Sequence, residues 1–430
     1  MNTILREILS LVEQYKDTPD FLDVLFGKDK TDAVNGKPVI ICCAGDLGTQ
    51  MLSVLQRAGI FPVALCDNDP AKAGLLHLQT PILPFDEAFR IHPDAFFIIA
   101  THKQRANVHR QLIEIGVTPR SIKCTDQNTD LIYLYIGVGT QIPIQISRES
   151  HPSQRYIDYL KSKQESIAKA HDILCDEKSR QLLITKLALL ASEGQFSLFA
   201  EYIYKFSEPY RDFGLMGYDG TPEDYYYFNN DIFGINDGEI YIDVGAFDGD
   251  TIETFIDACT RNGKSYQKII AFEPDPGCFS KLSKNYADQE KIELHQLGLW
   301  STSTQLRFFS TNAGAYEQGA SISESGDIVI DVTSLDDFLQ GKCITLLKMD
   351  PPGNIIPEVL RGAASTIRKY RPNLAMGAYH GPDSIFEIPI LLHDICPEYR
   401  MALRQNTCHL SDTDLLATIS ELQDQRQFYE

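Results

Sequence analysis

The sequence predicts an α/β protein made of two parallel-sheet units joined by a helical connector. Short apolar runs of strand length alternate with amphipathic helical patterns over residues 1–130, and the same alternation returns over 236–430. Between them, over 131–235, strand runs give way to longer helical patterns. With 430 residues, 43% of them hydrophobic and 23% charged, the chain is long enough for two or three domains with separate cores.

In the first unit, Met1 to Tyr15 carries Arg6 and Glu7 among its apolar residues, the pattern of an amphipathic helix and not of a signal peptide. "PVIICCAGDLGTQMLSVLQRAG" reads as a buried strand (Val39–Cys43), a glycine turn (Ala44, Gly45, Asp46, Leu47, Gly48) and a helix. "FPVALCDNDPAKAG" supplies the next strand, ending at Asp67, and "DAFFIIATHKQRANVHRQLIEIG" repeats the strand-to-helix pattern. The separation of Gly45 from Asp67 is near the ~20 residues expected between a dinucleotide fingerprint and its ribose-binding acid. The first glycine of G-x-G-x-x-G is missing or replaced by Ala44. Two readings of this Rossmann-like unit stay open: Gly45, Gly48 and Asp67 bind a nucleotide, such as a sugar nucleotide presenting an acceptor, or the module is structural or dimerising.

The connector reads as the helices "SQRYIDYLKSKQESIAKAHDIL" and "DEKSRQLLITKLALLASEG", followed by "GYDGTPEDYYYFNNDIF". There Tyr225, Tyr226, Tyr227 and Phe228 form either a lid over the next loop or an aromatic cluster packing the connector on the sheet. In the second unit, strands are predicted at Ile240–Val244, Ile269–Phe272, Ile292–Leu297, Ile344–Met349, Asn373–Gly377, Tyr399–Arg404 and Leu415–Ile419. Seven strands with an antiparallel pair after the fifth is the plan of the class I, Rossmann-like methyltransferase sheet.

"YIDVGAFDGDTIETF" puts an acid, a glycine turn and a helix start directly after a buried strand. Gly245 and Gly249 let a ligand approach backbone, the helix start offers free N–H groups, and Asp243 and Asp248 are acceptors. These acids suit a phosphate poorly and a cationic sulfonium with an amino-acid head well. The following strand, "IIAFEPDPGCFSKL", ends in Glu273, an acid placed to accept both hydroxyls of a ribose. Asp275 sits in an Asp-Pro turn.

A net charge of −20 and a pI near 4.9 oppose an electrostatic hold on nucleic acid or anionic lipid. No apolar run reaches membrane-spanning length. Ten scattered cysteines without C-x-x-C, and ten histidines without ligand spacing, suit buried thiols in a reducing cytoplasm and require no metal.

Residues about 170–420 resemble the FkbM-type methyltransferases that use S-adenosylmethionine. The resemblance is carried by "DVGAFDGDTI", "AFEPDPGCFSKL", "LGLWS", "VTSLDDFL", "LLKMD" and "RPNLAMGAYHGPDSIFEIPILL". It implies S-adenosylmethionine as methyl donor and, most often, a hydroxyl acceptor on a sugar, polyketide or related small metabolite; a sugar, nucleotide sugar or secondary metabolite is the expected small-molecule partner. Carried over by position, Asp243, Gly245 and Gly249 match the donor loop and Glu273 the ribose acid. With their neighbours the candidate donor-binding set is Asp243, Gly245, Ala246, Asp248, Gly249, Thr251, Glu273 and Asp275.

One departure stands out. The family usually continues its K-x-D strand with x-E-G-A-E, whereas this chain reads Lys348-Met349-Asp350-Pro351-Pro352-Gly353-Asn354-Ile355. The Asp-Pro-Pro segment is similar to the (D/N)-P-P-(Y/F/W) of amino methyltransferases, with glycine where the stacking aromatic would be. Three readings follow: hydroxyl methylation with Asp350 or His380 as general base, amine methylation through Asp350-Pro351-Pro352, or a chain that only binds. His380, after the fifth strand, can reach the ligand edge, and Lys348 can pair with Asp350 or contact substrate. A nucleotide-dependent oxidoreductase would need a redox residue set the sequence does not display. A cytoplasmic enzyme acting on a small molecule, as monomer or homodimer, is the expectation.

Overall fold

The computed structural model describes residues 1–101, 104–124, 132, 135, 152–192, 194–207, 227–228, 230–286, 289–309, 321–322, 326–351, 355–405 and 413–419. The opening helix, Thr3–Tyr15, is capped by Asn2, whose side chain accepts the Leu5 N–H. Asn2 also bonds Gln164, and Leu5 and Ile8 enter one core with Leu182, Leu183 and Leu187, so this helix packs on the connector.

The first sheet contains β1 (Val39–Cys42), β2 (Ala64–Cys66), β3 (Leu76–His77), β4 (Thr80–Leu83), β5 (Phe96–Ile99) and β6 (Ile122–Lys123), in the order β3-β4-β2-β1-β5-β6. All its pairs are parallel except the β3–β4 hairpin. The central strands are covered on both faces, hence the unbroken runs VIIC and FFII. Connector helices follow at Pro152–Ser162, Gln164–Ile173, Glu177–Ala191 and Phe196–Phe206. The first predicted connector helix divides at Lys163, whose ψ of 6° leaves the helical region.

The second unit opens with β7 (Glu239–Val244), β8 (Tyr266–Phe272) and β9 (Ile292–His295). A small sheet of β10 (Gly298–Leu299), β11 (Thr304–Phe309), β12 (Ser321–Ile322) and β13 (Ile328–Thr333) interrupts it. The main sheet resumes with β14 (Leu346–Met349), β15 (Asn373–Gly377), β16 (Arg400–Gln405) and β17 (Thr413–Thr418). Its order is β9-β8-β7-β14-β15-β17-β16, with β17 antiparallel to both its neighbours. This is the class I methyltransferase arrangement, and each of the seven predicted strands is present with ends shifted by a few residues. The small sheet was not predicted: the alternation in TQLRFF and IVIDVT is its period-2 signal.

Side chains alternate across the main sheet. Ile242, Val244, Leu347, Met349, Leu374 and Met376 face the connector-side core, while Tyr241, Leu346, Ala375 and Leu416 face a second core with Phe228 and Phe255. The strand order reverses at β7 and β14, where consecutive connections run to opposite sides; in open α/β sheets the ligand crevice lies at such a switch point, at the carboxyl ends of the strands. Among the described residues no helix is long and apolar enough to cross a membrane.

Candidate active site

The crevice is framed first by the loop after β7. Gly245 and Ala246 donate their N–H groups to Phe272 O at 3.0 and 3.1 Å, tying the loop to the end of β8. Gly245 (φ 79°) must be glycine for two reasons: its backbone is left-handed, and a Cβ there would lie 2.9 Å from Pro351 Cα. Gly249 (φ 98°) starts the helix Asp250–Arg261, and a Cβ on it would lie 2.2 Å from Tyr286 Cε2. The loop is therefore shaped by close approach of β14 and of Tyr286, whose hydroxyl donates to Gly249 O at 3.1 Å.

Asp243 is fully buried under this loop. Thr251 Oγ1 donates to its Oδ2 at 2.5 Å, and Lys348 Nζ forms an ion pair with its Oδ1 at 3.1 Å. Strand register explains the pair, because Lys348 on β14 lies directly beside Asp243 on β7. Lys348 thus pairs with Asp243, not with Asp350, which was one of the two roles open to it, and it also donates to Gly245 O at 3.3 Å. Burial alone would lower the Lys348 pKa, but Asp243 and Asp350 together hold it above its ordinary value, so it remains charged. Removing either member of this buried pair would cost about 3–5 kcal/mol.

Glu273 stands at the end of β8 beside the loop. Its Oε2 accepts the Phe247 N–H at 3.0 Å and its Oε1 the Asp275 N–H at 2.8 Å. Burial raises its pKa from 4.5 to about 7 against these two bonds. Each oxygen retains acceptor capacity, so the carboxylate fits the vicinal hydroxyls of a ribose, and the glycine loop beside it fits an adenosyl donor. Asp275 instead caps the next helix, its Oδ1 accepting the N–H groups of Gly277 and Cys278 at 2.8 and 3.0 Å. Ala246 is buried in the loop, and Asp248 is half-buried there, its carbonyl accepting from Asn285.

On the other side of the crevice, Asp350 is fixed through its N–H to Val244 O at 3.1 Å. Its Oδ1 lies 2.8 Å from His380 Nε2, and the Tyr379 hydroxyl donates to both oxygens at 2.9 and 3.1 Å. Tyr227 OH adds a bond to Oδ2 at 3.2 Å. Burial would raise the Asp350 pKa, but His380, Lys348 and Tyr379 together hold it below the usual carboxylate range. The His380 and Asp350 side chains are 15% and 22% exposed, so both keep some access to solvent.

Of the aromatic segment, Tyr225 and Tyr226 lie outside the described residues, as do Pro352, Gly353 and Asn354. Phe228 is core, its ring edge-on to Tyr241 and Phe255 at 5.4 and 5.2 Å, whereas Tyr227 turns its hydroxyl to Asp350. Tyr379 and Gly377 were not singled out in the sequence. The signal for them was a glycine and an aromatic in the residues that end and follow a buried strand.

In the first unit, Gly45, Gly48 and Asp67 also converge, with a different filling. The register of G-x-G-x-x-G puts Cys43, not Ala44, at the first glycine position, and Cys43 adopts φ 82° there. Gly48 serves close packing, since a Cβ would fall 2.0 Å from Cys43 O. Asp67 accepts from Ala44 N–H at 2.9 Å, from Asp69 N–H at 2.9 Å and from Lys72 Nζ at 3.0 Å.

Residues 243–407 match the sequence profile of the Methyltransferase FkbM domain. A crystal structure of a methyltransferase FkbM from Methylobacillus flagellatus superposes with a TM-score of 0.57 at 17% identity, covering 96% of this chain and 99% of that one, a likeness of fold over both units. Fibrillarin from Aeropyrum pernix with natively bound S-adenosyl-L-methionine aligns at 13% identity over 44% of this chain and 70% of its own, with a TM-score of 0.26. An rRNA methylase from Streptococcus thermophilus aligns at 17% identity over 44% and 90%, also with a TM-score of 0.26. No curated protein matches the chain.

Proposed function

For a chain that carries an S-adenosylmethionine-dependent FkbM methyltransferase domain at residues 243–407, we propose that the methyl acceptor is a hydroxyl group of a small metabolite such as a sugar, with His380 as the general base. One observation carries this reading: His380 Nε2 lies 2.8 Å from an Asp350 carboxylate that two tyrosine hydroxyls already engage. An ionised carboxylate only accepts, so Nε2 bears the proton and Nδ1 keeps its lone pair. Asp350 then orients the imidazole and balances its charge, while Nδ1 can take a proton from an alcohol.

The amine alternative would use Asp350 as a direct acceptor. Both its oxygens already receive donors, and an amine would have to displace Tyr379, Tyr227 or His380. S-adenosylmethionine, when bound, supplies the electrophilic methyl group. Glu273 and the Gly245–Gly249 loop would hold it, Asp243 and Lys348 would stiffen the loop, and rate would come from positioning and from proton removal at Nδ1.

The test is a panel of alcohols and amines assayed for S-adenosylhomocysteine release. Alcohols should be methylated, and His380→Ala should lower kcat by about 10²–10⁴-fold with S-adenosylhomocysteine affinity unchanged. Asp350→Asn should lose a comparable factor, because an amide can present a donor to Nε2 and reverse the tautomer. Turnover of amines that survives His380→Ala would refute the proposal.

A further inference from the structure

We infer that Tyr379 and Gly377 are positioning residues of the transfer reaction, which together hold the Asp350 carboxylate in the single orientation that fixes the His380 tautomer. The inference rests on the reading of His380 given above.

Strand register starts the argument. Met349 on β14 lies beside Met376 on β15, so the next residues, Asp350 and Gly377, emerge side by side at the lip of the crevice. A Cβ at 377 would lie 2.4 Å from Asp350 Oδ1, 3.0 Å from Tyr379 Cε1 and 3.2 Å from His380 Nε2. The backbone of Gly377 is not left-handed, so space alone requires glycine there. Any side chain would occupy the place where carboxylate, phenol and imidazole meet.

Tyr379 completes the clamp. Its hydroxyl donates to both Asp350 oxygens, which holds the carboxylate plane, and its ring lies 4.2 Å from that of His380. The loop bearing both rings is anchored at each end. Ala378 N–H bonds Thr413 O at 2.8 Å on one side. On the other, the connector residues Tyr156 and Tyr159 donate to Pro382 O and to Asp383 at 3.3 and 3.1 Å. A rotation of Asp350 about its side-chain bonds is the freedom left; the Tyr379 hydroxyl removes it, and the bare face of Gly377 leaves the carboxylate room in that orientation.

The experiment is NMR of the full-length protein labelled with ¹⁵N-histidine and saturated with S-adenosylhomocysteine, with the His380 signals assigned by their loss in His380→Ala. The wild type should show the Nε2–H tautomer. Gly377→Ala should populate the Nδ1–H tautomer, and Tyr379→Phe, which keeps the ring, should do so to a smaller extent. With an alcohol from the panel above, kcat should fall about 100-fold in Gly377→Ala and about 10-fold in Tyr379→Phe, with S-adenosylhomocysteine affinity held within about twofold. A wild type in the Nδ1–H form would overturn the base assignment itself. A wild type in the Nε2–H form that neither substitution disturbs, in tautomer or in kcat, would overturn only the positioning role. If Gly377→Ala fails to fold, the conservative Tyr379→Phe decides.

Discussion

The chain builds the same unit twice, at residues 39–67 and at 239–273: a buried parallel strand, a glycine loop, an amphipathic helix, and an acid at the end of the next strand. The two copies differ in what meets the acid. Asp67 is engaged by two backbone N–H groups and by Lys72, which also reaches Ala44 O at 3.2 Å and so clasps the loop. Burial would raise the Asp67 pKa, but these partners hold it below its ordinary value. Glu273 has two backbone donors and no cation in contact among the described residues, and burial raises it to about 7. One acid is satisfied within its own fold, and the other is kept costly to ionise, a perturbation that structural ion pairs do not explain here and that clusters at functional sites.

The glycines give the sharpest way to break the comparison. Gly249→Ala combines a left-handed backbone with a Cβ 2.2 Å from Tyr286, so overpacking and strain together should cost about 3 kcal/mol. Gly45 is extended (φ −104°) with nothing within 4 Å of a Cβ, and Gly45→Ala should cost only about 0.5–1 kcal/mol as a weaker helix cap. Chemical denaturation of the full-length variants measures both. Equal costs would mean that the two loops are under the same constraint.

Protonation offers a second contrast of nearly the same size. Folded Glu273 keeps its proton up to about pH 7 while the unfolded chain loses it near 4.5, so between those values the folded state binds more protons. Stability from this group is fully present below pH 4.5 and is lost as pH rises towards 7, by up to about 3 kcal/mol at ~1.4 kcal/mol per pH unit. Glu273→Gln should remove that slope. Asp67, shifted the other way, contributes stability that is lost as pH falls through the carboxylate range. If wild type and Glu273→Gln unfold with the same pH dependence across 4.5–7, Glu273 is not the strained acid its burial makes it.

Much of this contrast was legible in the sequence, and the reasons are specific. The strands ending in IIAF, LLKM and NLAMG are buried and read as largely apolar runs, which placed Glu273 and Asp350 at strand ends and His380 just beyond one. What joins those residues was not legible. The Lys348–Asp243 pair depends on the register of β7 with β14, which the spacing of two distant runs does not determine. The Asp350 cluster draws Tyr227 from 123 residues upstream and Tyr379 from 29 downstream, so no local pattern contains it. In the first unit, Lys72 could be read only as a loop residue, though it decides what Asp67 is free to do.

The mildest change should show most directly whether the two acids have parted in function. Lys72 is 36% exposed and its partner Asp67 14%, and a pair so open to solvent contributes about 1 kcal/mol or less. Lys72→Ala should therefore leave the fold nearly as stable, and S-adenosylhomocysteine should still bind with unchanged affinity, because the site proposed for it lies at Glu273. Glu273→Ala should weaken that binding by about 30-fold, the loss of two hydrogen bonds to a buried carboxylate at ~1 kcal/mol each. With the clasp removed, the first loop tests whether Gly45, Gly48 and Asp67 bind a nucleotide. Calorimetric titration of Lys72→Ala and wild type with NAD and with UDP-glucose should detect binding to neither if the loop is a closed structural element. Binding to the wild type would restore the first unit as a nucleotide site and make the clasp part of it, and binding to Lys72→Ala alone would show that the lysine stands where a nucleotide could.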